Sequence, residues 1–527
     1  MASQSLIEAM RNPAFYPHPA DSVEWIQTHI SMIFLAGEFV YKVKKAVDFG
    51  FLDFTTLEKR LFFCNEELRL NRRLAPQIYL DVVPICRDDR GRIRLGEEGR
   101  VIEYAVKMRK IPADRMLKRL LAAGQVEPSV MKAVAEKVAR FHAEAETGGE
   151  IDRIGGVDTV RKNVEENFAQ TERYTGRTLS NDRYRFLKSY ALGFLQRRRS
   201  FLEKRVSSGR IRDCHGDLHV DHICLAEEIL IFDCIEFNKR FRYVDVAAEA
   251  AFLAMDLDFS GHADFGEVFV KSYVAATGDA EVLTLLNFYK GYYAYVRGKV
   301  NSFRLDDAAI PEDEKGRALT TASRYFELAY GYACLLERPT LILTAGLMGA
   351  GKSALARAIS PLLGAEIIRT DVLRKELMQI DPGERHPEKF GEGIYADSVS
   401  RRTYAEALRT AGCMLSRNVS VLIDASFRRR DDRLMAMQTA AAAGADFFVL
   451  ECVCPEEIAR TRLEKRSLDD TEASDGRWEL FAAQRREFEP IDEIPADAHV
   501  IVDTAAPPET CAAAAIEQIR LAGGQNR

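Results

Sequence analysis

Residues 346–353 read GLMGAGKS, a G-x-x-x-x-G-K-[ST] pattern with Gly346, Gly351, Lys352 and Ser353 at its defining positions. Glycines there let the backbone turn tightly, so that successive N–H groups converge on phosphate oxygens. Leu347, Met348, Gly349 and Ala350 fill the loop, and Ala354 carries the chain into a helix whose positive end adds to the grip. The Lys352 ammonium reaches the β- and γ-phosphates of a nucleoside triphosphate, and the Ser353 hydroxyl is placed to ligate Mg²⁺. The apolar run before the loop (LILTA) and the helical SALARAIS after it supply the strand–loop–helix context that the motif needs.

Two carboxylates fall where such a loop can use them. Asp371 follows the strand EIIRT, and Asp424 closes the strand VSVLI. Ligands of a parallel sheet sit beyond the carboxyl ends of its strands, so both aspartates face the phosphate loop. One holds Mg²⁺ through water and the other accepts a hydroxyl proton from the acceptor; spacing alone leaves the assignment open.

A second constellation lies upstream. Residues 215–222 read HGDLHVDH and residues 231–238 read IFDCIEFN. A loop holding His-Gly-Asp, followed by a strand ending in Asp, is the layout of a two-metal phosphotransfer site. Asp217 orients or deprotonates the acceptor hydroxyl, and Asp233 holds Mg²⁺ against the nucleotide phosphates. Glu236 is a weaker, secondary candidate. Lys42, mid-strand in FVYKVKK, reaches the α- and β-phosphates, and Glu67 on the next helix fixes it as an ion pair. Lys44 lies on the same strand face and competes for that role.

HGDLH, FDCIEFN, RFRYVDVAAEAAFLAMDL and the helix ending ARFH at His142 resemble the aminoglycoside phosphotransferase-like family, a branch of the protein-kinase-like fold. The resemblance covers about residues 1–335 and implies that Asp245 is a structural aspartate of the larger lobe. It also exposes a departure. The family places Asn five residues after the catalytic Asp, and this chain has His222 there. His222 is thereby the candidate at the second metal position, but imidazole is a poor ligand for Mg²⁺, which puts that position in question, and Asp221, one residue earlier, is the substitute. No glycine-rich cover precedes the strands, and the loop at Thr28–Ser31 is the candidate to replace it through backbone N–H groups and Ser31.

RTDVLRKEL and LIDASF resemble P-loop kinases of the zeta-toxin and gluconate-kinase type, AAA-like proteins that phosphorylate small molecules or nucleic-acid ends. By that likeness Asp371 and Arg374 serve the acceptor and Asp424 is the second acidic residue. Arg462 and Arg466, in ARTRLEKR, are implied as lid arginines that neutralise the transferring phosphate. Arg428–Arg430 are candidates for an anionic substrate, or a solvated turn.

The elements agree with two different architectures. Residues 31–45 read as a hairpin turning at Gly37-Glu38, a helix runs from about Thr56 to Arg73, and strands follow at 78–86 and 100–108. From about Val130 the pattern is helical, broken by short strands between Ile211 and Phe237. After Arg338-Pro339, strands at 340–345, 366–370, 419–424, 446–453 and 499–503 alternate with helices, which implies a covered parallel sheet. The expected fold is a bilobal, α+β protein-kinase-like domain (1–335, small lobe about 1–110, large lobe about 111–335). An α/β P-loop NTPase domain (340–527) with a five-stranded parallel sheet follows it.

The 527 residues carry 74 Lys and Arg against 80 Asp and Glu, a net charge of −6, which disfavours broad nucleic-acid binding. Ten cysteines in no metal-binding spacing read as reduced, buried thiols. With no signal peptide and no membrane-length apolar run in the pattern, the cytoplasm is the expected compartment. The expected function is a bifunctional kinase that uses ATP and Mg²⁺ on a small hydroxylated acceptor. A nucleotide-binding regulator with a degenerate first domain and a nucleic-acid-end kinase are the alternatives.

Overall fold

The computed structural model describes residues 4–308, 310–381, 392–466 and 477–525. The chain divides into two compact units, Met1–Ala329 and Tyr330–Arg527.

The first unit begins with an antiparallel sheet of β1 (Val23–Gln27), β2 (Ser31–Ala36), β3 (Phe39–Lys44), β4 (Tyr79–Arg87), β5 (Ile93–Leu95) and β6 (Arg100–Arg109). Its order is β1-β2-β3-β6-β4-β5. The expected hairpin joins β2 to β3, with Ala36 opposite Phe39. The edge strands β1 and β5 were not legible: one is polar and half exposed (VEWIQ), the other only three residues long. Alternation in β3 sorts its side chains. Tyr41 and Val43 enter a core with Met10, Tyr16 and Phe34, while Val40 packs on the opposite side with Cys64 and Val106. Lys42 and Lys44 share the second side. Helix α1 (Leu57–Asn71) lies there, and the Thr56 hydroxyl caps it by accepting the Lys59 N–H at 3.2 Å.

The large lobe is helical, with α2 (Pro128–Glu144), α3 (Val246–Phe259), α4 (Ala263–Thr277), α5 (Val282–Phe303) and α6 (Glu312–Cys334) among its helices. Helix α3 (VAAEAAFLAMDLDF) is apolar around its circumference and buried over nearly all its length, as a central core helix must be. Two small antiparallel ladders interrupt the helices. Strand β7 (Ile211–Asp213) pairs with β10 (Tyr243–Asp245), and β8 (Ile223–Leu225) with β9 (Ile229–Ile231). They carry the His-Gly-Asp loop and the segment holding Asp233. Together the lobes form the bilobal, kinase-like fold that the resemblance implied.

The second unit is built on β11 (Thr340–Ala345), β12 (Ala365–Arg369), β13 (Ser420–Asp424), β14 (Asp446–Val453) and β15 (His499–Asp503). All five strands are parallel, in the order β12-β13-β11-β14-β15. The first strand is central and fully buried, so the chain reverses its direction of travel across the sheet beside it. That switch point opens a crevice at the carboxyl ends of β11 and β13. Helix α7 (Lys352–Leu363) follows the phosphate loop. Strand β12 stops at Arg369, so Asp371 stands in the first turn of α8 (Thr370–Leu377) rather than at the strand end. Among the described residues no helix is long and apolar enough to cross a membrane. Eight of the ten cysteines are buried.

Candidate active sites

In the first unit the two strand lysines converge on one carboxylate. Lys42 Nζ lies 2.8 Å from Glu67 Oε1 and 2.7 Å from Asp233 Oδ1. Lys44 Nζ lies 2.7 Å from Glu67 Oε2 and pairs at its other side with Glu236. Glu67 is fully buried, so both its oxygens depend on these lysines for compensation. The two arms differ in access. Asp233 is 45% exposed, whereas Glu236 is 5% exposed and Lys44 is sealed. Only the Lys42 arm opens towards solvent. Burial pulls the Lys42 ammonium down, but Asp233 and Glu67 outweigh it and hold its pKa well above the usual value. Burial raises the Glu236 carboxyl, with Lys44 opposing.

Asp233 has φ of 62°, a left-handed conformation that is uncommon for a residue with a side chain. Its N–H donates to the Tyr79 hydroxyl at 3.1 Å, and the next N–H, of Cys234, donates to Asn71 Oδ1 at 2.8 Å. The end of α1 therefore holds both Glu67 and the aspartate segment. Arg73, just past that helix, donates to the carbonyls of Asp213 and Cys214 at 2.7 and 3.0 Å, which ties in the other loop.

That loop hangs from α3. The N–H groups of His215 and Gly216 donate to Glu249 Oε1 at 2.8 and 2.6 Å, and the Val220 N–H donates to Asp256 Oδ2 at 3.0 Å. Glu249 is itself held by His142 Nε2 at 2.7 Å, and His142 Nδ1 lies 2.7 Å from the Tyr273 hydroxyl. Gly216 has φ of 86°, and a Cβ there would meet the Phe241 carbonyl at 2.9 Å. Sequence reasoning passed over Glu249. Its signal was a carboxylate amid the alanines of a mostly buried helix, a placement that demands partners. Asp245 is buried, accepts the Ala247 N–H at 2.8 Å and forms a two-pronged pair with Arg205, both contacts at 2.7 Å.

Asp217 emerges from the loop with its side chain one-third exposed. Its Oδ2 is 3.4 Å from His219 Nε2 and 3.6 Å from His222 Nδ1. Burial works against its ionisation, but His219 and His222 outweigh that and hold it well below the ordinary carboxylate range. His222 stands between the two aspartates, with Nε2 3.6 Å from Asp233 Oδ2. Asp233 offers Mg²⁺ a suitable oxygen; the imidazole beside it does not fit that ion. The loop at Thr28–Ser31 does not offer the phosphate cover expected of it. The N–H groups of Ile30 and Ser31 both point to Thr28 Oγ1, at 3.4 and 3.0 Å, and Ser31 is buried in β2.

In the second unit Gly346, Gly349 and Gly351 have φ of 129°, 78° and 78°. A Cβ at Gly346 would lie 2.4 Å from the Cys452 carbonyl oxygen, and one at Gly349 2.7 Å from that of Ala459. The loop is thus wedged against neighbouring backbone. Within it the Met348 N–H donates to Gln484 Oε1 at 2.6 Å, Leu347 O accepts from Lys352 Nζ at 2.8 Å, and the Ala350 N–H turns back to Leu347 O at 3.2 Å. The first N–H groups of α7, through Ser353 and Ala354, have no acceptor within their own helix. Asp424 ends β13 beside Arg369 of β12, with Oδ2 3.8 Å from Arg369 Nε. Burial raises its pKa; the Ser353 hydroxyl, which donates to it, and the Lys352 charge oppose that shift, while the Asp371 charge adds to it. Ser353 and Asp424 are hard oxygen donors side by side, a pair that fits Mg²⁺.

Arg462 lies behind the loop. Its guanidinium donates to the Thr504 carbonyl at 2.6 Å and reaches the Gly349 carbonyl at 3.5 Å, while the Thr504 hydroxyl donates to Ala350 O at 2.8 Å. Arg466 ends the same helix, Glu456–Arg466, and its side chain lies outside the described residues. Arg374 is buried, stacks over Tyr395 at 4.7 Å and approaches Ser400 Oγ at 3.4 Å. The three arginines at 428–430 are engaged by carboxylates. Arg428 meets Glu487 at 3.4 Å, Arg429 meets Asp397 at 2.6 Å and Arg430 meets Asp492 at 3.3 Å.

An AAA-domain family model matches residues 341–491. Among solved structures, the GDP complex of aminoglycoside 2'-phosphotransferase-IIIa is 16% identical, covering 62% of this chain and 99% of that one with a TM-score of 0.40. A gluconokinase from Sinorhizobium meliloti 1021 is 22% identical, covering 35% of this chain and 94% of that one with a TM-score of 0.25. Uncharacterized protein Rv2004c of Mycobacterium tuberculosis is 31% identical over 498 residues, 93% of this chain and 95% of the relative. The chain belongs to the family of that mycobacterial protein, and its residues 341–491, which carry the phosphate loop, match the AAA domain.

Proposed function

We propose that the chain is a bifunctional, ATP-dependent phosphotransferase whose two domains, 1–335 and 340–527, each move the γ-phosphate of ATP to a hydroxyl of a small molecule in the cytoplasm. The observation that carries this reading is the gathering of Lys352, Ser353 and Asp424 around a glycine loop at the switch point of a parallel sheet.

In the C-terminal domain the first N–H groups of α7, through Ser353 and Ala354, and the Lys352 ammonium bind the phosphates, with the loop from Gly346 to Gly351 shaping the cradle. Mg²⁺, when bound by Ser353 and Asp424, neutralises the phosphate charge. Asp371 faces the acceptor and takes its hydroxyl proton, which leaves Asp424 for the metal side. Arg374 orients the acceptor. Arg462 holds the loop from behind and steadies the transferring phosphate through it, with Arg466 on the same helix as the lid arginine.

In the N-terminal domain Lys42 grips the α- and β-phosphates and Glu67 keeps it aimed. Asp217 accepts the proton of the attacking hydroxyl, which its low pKa and its hydrogen bond from His219 suit to orienting more than to strong basicity. Lys44 is spent on Glu67 and Glu236 as a structural cation. The carboxylates bound to Arg428–Arg430, with the net charge of −6, favour a small acceptor over a nucleic-acid end.

The test is ATP consumption by the full chain against a panel of sugars, nucleosides and aminoglycosides, with Lys352→Ala and Asp217→Asn. Each substitution should remove one activity and spare the other. Turnover unaltered by both would refute the enzyme reading. One observation favours a second reading for the first domain, as a nucleotide-bound regulator: His222 occupies the gap between Asp217 and Asp233. It requires that Lys352→Ala protein bind nucleotide yet transfer nothing.

A further inference from the structure

Three histidines line the loop after β7, and their hydrogen bonds fix opposite proton positions. His215 Nδ1 accepts the Asp217 N–H at 3.3 Å, so its proton sits on Nε2 and goes to the Phe232 carbonyl at 2.9 Å. His219 repeats the pattern. Its Nδ1 accepts the Asp221 N–H at 3.3 Å, and Nε2–H points at Asp217 Oδ2 at 3.4 Å.

His222 is reversed. Its Nδ1 is 2.9 Å from the Asp217 carbonyl oxygen, an atom that can only accept. A proton therefore sits on Nδ1, and in the neutral ring Nε2 presents a lone pair. That lone pair faces Asp233 Oδ2 at 3.6 Å, while Asp233 Oδ1 is already taken by Lys42 at 2.7 Å. With the ring neutral, two electron-pair donors face each other across a gap that a cation can fill.

The spacing suits a shared ion. Two ligand atoms about 2.1 Å from one metal, and about 118° apart, are separated by about 3.6 Å. An imidazole whose second nitrogen donates to a backbone carbonyl is also the usual arrangement of a metal-bound histidine. The left-handed backbone at Asp233 aims the carboxylate into the same gap.

We propose that His222 Nε2 and Asp233 Oδ2 chelate a divalent transition ion of the zinc class in preference to Mg²⁺. Mg²⁺ demands an oxygen shell, whereas imidazole nitrogen selects the later first-row ions. Two protein ligands leave the remaining positions to water and to phosphate oxygens, so the ion enters together with the nucleotide. The inference rests on the N-terminal phosphotransfer reading and names the cation class of that site.

The experiment uses full-length Lys352→Ala protein, in which the second site is silenced, with a non-hydrolysable ATP analogue. Equilibrium dialysis measures Zn²⁺, Co²⁺ and Mg²⁺ binding, and visible absorption reports the Co²⁺ coordination shell. Added His222→Asn should weaken Zn²⁺ and Co²⁺ binding by about 10–100-fold, shift the Co²⁺ bands and spare Mg²⁺. Asp233→Asn, the second variant, should lose the transition ion as well, with thermal midpoints reporting that both variants fold. The buried trio His142, Cys214 and Glu249 is common to all the proteins, and Asp233→Asn, which leaves the neighbouring Asp217, His219 and His222 cluster intact, assigns the loss to the His222–Asp233 gap. Zn²⁺ and Co²⁺ affinities and spectra untouched by His222→Asn, with the analogue still bound, would overturn this inference alone; a proton in the gap gives that result. An analogue that binds with none of the three ions would overturn the N-terminal reading together with it.

Discussion

The two candidate sites are built by opposite means. In the C-terminal unit the frame is main chain: three glycines at positive φ, two of them wedged against carbonyls, and a helix start behind them. In the N-terminal unit it is side chain: two lysines, three carboxylates and a loop hung from Glu249. A backbone cradle needs little beyond local geometry. A side-chain cradle needs a buried ion network, which is costly to break and sensitive to single substitutions. The contrast teaches where each domain is fragile: the first in its charges, the second in its loop.

The largest effect expected is chemical and confined to the first site. Asp217→Asn should lower its turnover by about 10²–10⁴-fold, the range for losing a positioned acid–base group, with nucleotide affinity nearly intact. Steady-state rates measured in Lys352→Ala protein isolate that site. Next, Lys352→Ala should cut C-terminal turnover by about 10²–10³-fold, as removal of one preorganised charge donor does. If either substitution moved both activities equally, the two sites would not be separate.

Stability should separate them further. Glu67→Gln leaves Lys42 and Lys44 facing each other without a shared counter-charge, and should cost the first unit about 3–5 kcal/mol. Chemical denaturation should show the transition of the second unit unmoved.

The smallest effect tests why the lysine pair keeps its charge. Lys299 faces neutral amides instead, Asn167 Oδ1 at 2.6 Å and Gln170 Oε1 at 2.9 Å. Burial lowers its pKa from 10.5 to about 8. A depressed base binds protons less readily folded than unfolded, so its contribution is complete above 10.5 and is lost as pH falls through about 8. Wild-type protein should lose stability relative to Lys299→Met across that window, by on the order of 1–3 kcal/mol. Denaturant midpoints measured at both ends check it, and a difference that grows in the alkaline direction would contradict the sign.

The same contrast explains what the sequence made legible. The glycine loop is contiguous, its flanking strand and helix are strongly patterned, and all five parallel strands were expected within a residue or so of their observed ends. The first site is assembled from residues as far apart as Lys42 and Asp233, separated by 191 positions, and was readable only as an order of residue types. Spacing did not decide between Lys42 and Lys44, because alternation puts both on one face; burial of their second partners separates them. The loop at Thr28–Ser31 misled because its polar composition suits phosphate contact, yet Thr28 takes the N–H groups of Ile30 and Ser31. Glu249 and the histidine proton positions depend on which backbone atoms meet them, which composition and periodicity do not carry.

The central claim is two nucleotide sites in one chain. Isothermal titration of the full-length protein with a non-hydrolysable ATP analogue, with Mg²⁺ and Zn²⁺ supplied, counts them directly. The account predicts two equivalents bound by the wild type and one by Lys352→Ala. One equivalent in both proteins, or none in the wild type, would contradict it.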